Sequence, residues 1–212
     1  MKTKSEEVFE SFLTLNNIPF KKIEEIKEKA SYRPDYLLHI GDLKLVVEVK
    51  ELDKDENFGV VEDPSGLELR SNHRILGEHV RNKIRASKKQ IKYGANQGIP
   101  SILLIYNNID RVFQEFGTDD LDFKTAMYGK LTILINKNTR ERSELFQGKK
   151  NELQESKNTS FSAVGRLADR GGRPTVTMFE NVYSKVKIPY EILPPCFEVK
   201  RCEVSNAPLS FA

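Results

Sequence analysis

Gly41 and Asp42 constrain this chain more than any other pair, because they stand between two apolar runs and fix how those runs meet. Pro34 opens an extended stretch from Asp35 to Ile40, and Leu43 to Val49 is a second, strongly apolar strand. A two-residue loop with glycine first suits a type II′ hairpin turn, since glycine accepts the positive φ required there. With Gly41-Asp42 as the loop, Ile40 pairs with Leu43, Leu38 with Leu45 and Tyr36 with Val47. All six point to one face, which is apolar apart from a tyrosine hydroxyl. The same register sets Leu37 against Val46, His39 against Lys44 and Asp35 against Glu48 on the opposite face. Residues directly across an antiparallel pair have Cβ atoms roughly 4.5–5.5 Å apart, so the two carboxylates sit side by side. Lys50, two residues beyond Glu48, faces the same way. A one-residue slip would send Glu48 into the core and Leu45 into solvent, so the register is strongly specified.

Two adjacent carboxylates repel unless something positive joins them. A hard divalent cation such as magnesium is held by one or two carboxylates together with phosphate oxygens. A lysine beside it is a mobile point charge that positions water or stabilises a phosphate. An ordinary ion pair on a surface hairpin is the plainer reading of the same residues. A third acid comes from the first helix, which Ser5 and the acids after it start and Asn16-Asn17-Ile18-Pro19 ends. Val8, Phe9, Phe12, Leu13 and Leu15 fall on its apolar side. At about 100° per residue, Glu6 borders that side more closely than Glu7 or Glu10. Glu6 is therefore expected to project toward the hairpin end, and Glu7 toward solvent.

Phe20 to Ile26 reads as a short strand. Residues 51–78, with Gly59, Pro64, Gly66 and Gly77, show no sustained period, and a connection of that length is usually functional or mobile. Its acids Asp53, Asp55, Glu56, Glu62 and Asp63 read as solvated loop residues. A helix is predicted from about Gly77 to Gly94 with Val80, Ile84, Ser87 and Ile91 inward. It carries Arg81, Lys83, Arg85, Lys88, Lys89 and Lys92 and no acid over that run. His73 and His79 are too far apart for an i, i+4 metal pair. Ser101 to Tyr106 is a buried strand, and Leu131 to Ile135 and Thr175 to Phe179 read as further strands. Asn136 to Ser160 reads as surface loop with irregular helix. The acids of Gly117 to Asp122 suggest turns and a helix cap. Gly165-Arg166 and the run Arg170 to Arg173 read as a flexible basic loop or a phosphate site.

At 212 residues the chain supports one good-sized core. No composition break divides it, so a single domain is expected, with a core about 5–106 and an elaboration about 107–212. No apolar run approaches the roughly 20 residues that cross a bilayer. The first residues lack the apolar stretch of a signal peptide, so a cytoplasmic location is expected. Cys196 and Cys202 lack zinc spacing and read as reduced thiols. The net charge of +3 is too small to argue for nucleic acid by itself.

Ser5-Glu6-Glu7-Val8-Phe9-Glu10-Ser11-Phe12-Leu13, Arg33-Pro34-Asp35 and Val47-Glu48-Val49-Lys50 together resemble the PD-(D/E)XK nuclease superfamily, also called restriction-endonuclease-like. The resemblance covers about half the chain, and nothing after Tyr106 contributes to it. It implies an α/β fold, a mixed β-sheet flanked by helices with an α-β-β-β-α-β core, here with additional C-terminal strands. It implies that Asp35 and Glu48 hold a magnesium ion, for which manganese substitutes, with Glu6 in support and Lys50 as the catalytic lysine. Gln90 and Tyr93 resemble the glutamine–tyrosine motif of exonuclease-like branches. Their spacing is Q-x-x-Y in place of Q-x-x-x-Y, so an endonuclease stands ahead of an exonuclease. Lys83, Lys88 and Lys92, with Gln90 and Tyr93, would then contact substrate. The expected function is metal-dependent hydrolysis of phosphodiester bonds in DNA, in restriction or defence. The alternatives are a catalytically inactive nucleic-acid-binding module of the same fold in a larger complex, and an interaction protein whose acids only decorate a hairpin. Nucleic acid is the implied partner, DNA ahead of RNA, with no membrane and a homodimer left open.

Overall fold

A computed structural model of the chain describes residues 2–23, 32–52, 58–62, 65, 68–72, 75–108 and 118–204. Helix α1 (Lys4–Leu15) begins before Ser5, because Thr3 is its cap. The Thr3 hydroxyl accepts from the Glu6 N–H at 3.3 Å, and the Glu6 carboxylate accepts from the Thr3 N–H at 2.9 Å. Val8, Phe9, Phe12 and Leu13 are buried as predicted, but Leu15, at the frayed last turn, is exposed. Strand β1 (Phe20–Lys22) covers the start of the strand expected over 20–26, of which 24–26 lie outside the described residues. Strands β2 (Tyr36–Ile40) and β3 (Leu43–Leu52) pair in the predicted register, from Ile40 opposite Leu43 to Tyr36 opposite Val47. Gly41 turns the chain at φ +57 with open space where a Cβ would stand, so backbone conformation alone calls for glycine.

The segment after β3 is more ordered than its sequence suggests, since β4 (Phe58–Glu62) and β5 (Glu68–Asn72) form a separate antiparallel hairpin. The helix predicted over 77–94 is two helices, α2 (Glu78–Ala86) and α3 (Lys88–Ala95), divided at Ser87. Ser87 is fully buried, and its hydroxyl has no hydrogen-bond partner. Val80, Ile84, Ser87 and Ile91 nonetheless all face inward. Every residue of β6 (Ser101–Asn107) is buried. Helix α4 (Asp120–Tyr128) follows the predicted acidic cap, with Asp119 and Asp122 capping each other's backbone N–H groups. The strand expected over 131–135 shrinks to β7 (Leu131–Thr132), paired with β8 (Phe146–Gln147). The 136–160 segment contains no helix.

Gly165 and Arg166, expected in a loop, lie in strand β9 (Ala163–Asp169). A Cβ at Gly165 would come within 2.7 Å of the Thr177 carbonyl oxygen and 2.9 Å of Leu104 Cδ2, so close strand and side-chain packing explains the glycine. Strand β10 (Pro174–Glu180) pairs antiparallel with β9, and β11 (Phe197–Lys200) lies parallel to β10. The seven-stranded sheet runs β1-β2-β3-β6-β9-β10-β11, with β3, β6 and β9 mutually parallel at its centre. Helix α1 packs on one face, with Phe9, Phe12 and Leu13 against Tyr36, Leu38, Leu45 and Val47. The other helices cover the second face, where Val80, Ile84, Ile91 and Phe123 meet Leu103, Ile105, Val164 and Phe179. The architecture is thus mixed α/β, a sheet sandwiched between helices. Among the described residues no helix is long and apolar enough to cross a membrane.

Candidate active site

The hairpin places its acids where alternation predicts, but in different surroundings. Asp35 stands just before β2, and its Oδ2 accepts a hydrogen bond from the Val49 N–H at 2.8 Å. Glu48, in the middle of β3, is 1% exposed, so the face it occupies is not the open one its sequence suggests. Helix α3 covers that face. Gly94 lies so close to Val46 that a Cβ would meet Val46 Cγ2 at 2.9 Å. Glu48 Oε1 pairs with Lys50 Nζ at 2.5 Å, and its other oxygen is buried with the Asp35 carboxylate as its hydrogen-bonding neighbour. Burial pushes the Glu48 carboxyl up to about 8, the neighbouring Asp35 charge adds to this, and Lys50 opposes it. Burial also raises Asp35, against the Val49 N–H and Lys50. The Glu48 carboxyl therefore favours its protonated form at neutral pH.

Glu6 lies near enough for its charge to raise Asp35 further, yet its oxygens have other partners. They accept from the Thr3 N–H and pair with Lys22 at 2.7 Å. Burial works to raise Glu6, but Lys22 and the Thr3 N–H outweigh it and hold the carboxyl below its ordinary value. Glu7, as expected, is exposed, and it pairs with Lys4. Among the described residues no group of three or more His, Cys, Asp or Glu side chains is placed to hold a metal. The loop acids Asp53, Asp55, Glu56 and Asp63, and His73, lie outside the described residues. One acid escaped the sequence reading. Glu51 accepts from the Ser5 N–H at 2.7 Å and from Asn108 at 2.8 Å, tying the start of α1 to the ends of β3 and β6. Its place just after Glu-x-Lys was the only hint.

The basic run on α2 and α3 is not the continuous stripe that its sequence suggests. Arg81 is buried and donates to the Leu76 carbonyl at 2.9 Å. Arg85, Lys88 and Lys157 surround the buried Glu152 at 2.7, 3.9 and 3.0 Å. Lys89 donates to the Tyr32 hydroxyl at 2.7 Å. Lys83 is half-buried and Lys92 is exposed. Helix α3 runs back along β3, from the Leu52 end toward Val46. Gln90 lies one helical turn before Gly94, the residue that meets Val46. The Gln90 Oε1 is buried without a partner. Tyr93 on α3 and Gln97 just after it form one wall of a cleft that opens over Leu37 and Val46. Arg166 pairs with Asp120 at 3.5 Å within the sheet layer and is not a loop phosphate ligand. Cys196 and Cys202 are both free thiols.

Comparison with protein-family models, curated proteins and solved structures finds no match for the chain.

Proposed function

We propose that the chain is a metal-dependent nuclease that hydrolyses phosphodiester bonds in DNA, on a restriction-endonuclease-like fold. The observation that carries this is the buried Glu48 carboxyl set directly beside Asp35 and held by Lys50. A structural ion pair has no need of a second carboxylate pressed against the first, since that arrangement costs energy. The order of α1, the antiparallel β1-β2-β3 meander, α3 and a β6 parallel to β3 supports the fold.

Two adjacent carboxylates, once the Glu48 proton is lost, suit a hard cation that keeps much of its water shell, which describes magnesium and manganese. Asp35 and Glu48 would hold it, and when bound it would supply positive charge to a phosphate and lower the pKa of a water. The protein's own contribution is positional. The Val49 N–H fixes Asp35, and α3 screens Glu48 from bulk solvent. Lys50, partly exposed, can leave Glu48 to neutralise charge that builds on a phosphate or to orient water.

The test is cleavage of plasmid and single-stranded DNA with magnesium and then with chelator. Lys50→Ala is expected to slow cleavage by about 10²–10³-fold, the usual cost of losing one electrostatic stabiliser. Glu48→Gln should abolish cleavage and weaken magnesium or manganese binding in calorimetry. Equal metal binding by wild type and Glu48→Gln would place the metal elsewhere. Absence of any cleavage by wild type, with intact DNA binding, would favour the inactive module.

A further inference from the structure

The cleft beside the acids has the makings of a nucleotide site. It measures about 570 Å³, within the usual range of small-molecule sites. Its floor is the apolar pair Leu37 and Val46, on the same sheet face as Glu48. Tyr93 of α3 and Gln97 in the turn after it make one wall, and Lys21 and Arg33 stand at the other side. Among the described residues neither Lys21 nor Arg33 has an acidic partner, and Arg33 Nε is buried without any hydrogen-bond partner. A guanidinium left in that condition beside an apolar floor is disfavoured unless an anion joins it. A flat aliphatic floor with a tyrosine at its side suits an aromatic ring.

We infer that this cleft holds one unpaired nucleotide, its base over Leu37 and Val46 against Tyr93 and its phosphate on Arg33 and Lys21. Val46 is two strand residues, about 7 Å, from Glu48, which is close to the phosphate spacing of an extended single strand. The occupant is therefore the nucleotide next to the phosphodiester that Asp35, Glu48 and Lys50 would act on, an assignment that rests on the nuclease reading. A base can reach the cleft only if it is unstacked and unpaired, so the substrate class is single-stranded DNA or a frayed duplex end.

The experiment measures binding of the full chain to a labelled single-stranded 12-mer and to its blunt duplex, in chelator and across a salt series. The single strand should bind at least about tenfold tighter. Arg33→Gln should weaken it about tenfold and flatten the salt slope by about 0.7, one single-strand phosphate contact. Tyr93→Ala should weaken it by roughly 5–150-fold, the range for one stacked base, while Tyr93→Phe retains affinity. Thymidine monophosphate should displace the strand at lower concentration than inorganic phosphate. Equal affinity for duplex and single strand overturns the inference. So does wild-type binding by Arg33→Gln and Tyr93→Ala that melt at the wild-type temperature, and so does displacement by inorganic phosphate as effective as by the nucleotide. Failure of the nuclease reading looks different: no cleavage with magnesium, but binding and its variant pattern intact. Cleavage of single strands that both variants leave unchanged would sink the cleft and spare the nuclease.

Discussion

Glu48 sets how the metal-free protein responds to pH. Its folded carboxyl titrates near 8 against an ordinary 4.5, because the interior disfavours its charge. A folded value raised above the unfolded one means that the stability it contributes is full below about 4.5 and is lost as pH rises through about 8. Asp35, also raised, acts in the same direction. The melting temperature in chelator should therefore fall from about pH 4.5 to about pH 8 and level off above that, and Glu48→Gln, neutral throughout, should remove most of that fall. A wild-type profile that stays flat would mean that Glu48 is ionised in the folded chain. The juxtaposition of Asp35, Glu48 and Lys50 was legible in the sequence, because a turn glycine and strict alternation determine cross-strand neighbours. The burial of Glu48 was not, because the helix that packs on β3 begins 40 positions later, and local pattern carries no trace of it. Glu6 was half legible. Thr3-x-x-Glu6 is a capping-box spelling, and reading Ser5 as the start hid it.

Among the elements, α1 and α3 hold the site from opposite faces, and each offers a measurable handle. Thr3→Ala removes the hydroxyl cap and should cost about 1 kcal/mol of stability, read from denaturant midpoints. An unchanged midpoint would show that Glu6 and the backbone suffice there. At Gly94 two effects compete. Alanine gains about 1 kcal/mol of helix propensity. Its Cβ, however, meets Val46 Cγ2 at 2.9 Å and the Ser101 hydroxyl closer still. Overpacking of this kind costs about 1–3 kcal/mol, so Gly94→Ala should destabilise and push α3 off β3, with loss of the proposed DNA cleavage. A more stable variant would show that α3 can shift without harm. Helix and strand periods revealed α1, β2, β3 and β6. The α2–α3 division at Ser87 escaped because the inward set Val80, Ile84, Ser87 and Ile91 keeps helical spacing straight through it. Strand β9 escaped because Gly165-Arg166 spells a loop when read alone, and only the close approach of Leu104 and Thr177 explains the glycine.

At the scale of the whole molecule, the residues after Tyr106 are not an appendage. The resemblance that ends at β6 leaves out the strand lying against it, since β9 pairs with β6 from Ile102 opposite Ala163 to Tyr106 opposite Leu167. Strand β10 then lies under α1. Parallel pairings across long sequence separations are invisible to any local period, so β10 could be recognised but not placed, and β9 and β11 were not seen at all. Their position has a consequence for synthesis. A ribosome that has released only the first 108 residues has already made Asp35, Glu48 and Lys50, yet β6 would still present an open apolar edge. The 1–108 fragment is expected to aggregate or remain unfolded, as judged by sedimentation and circular dichroism, and cooperative unfolding of a soluble fragment would contradict this. Such a chain, if it cuts DNA, stays harmless to the cell that makes it until β9 and β10 have emerged to complete the sheet.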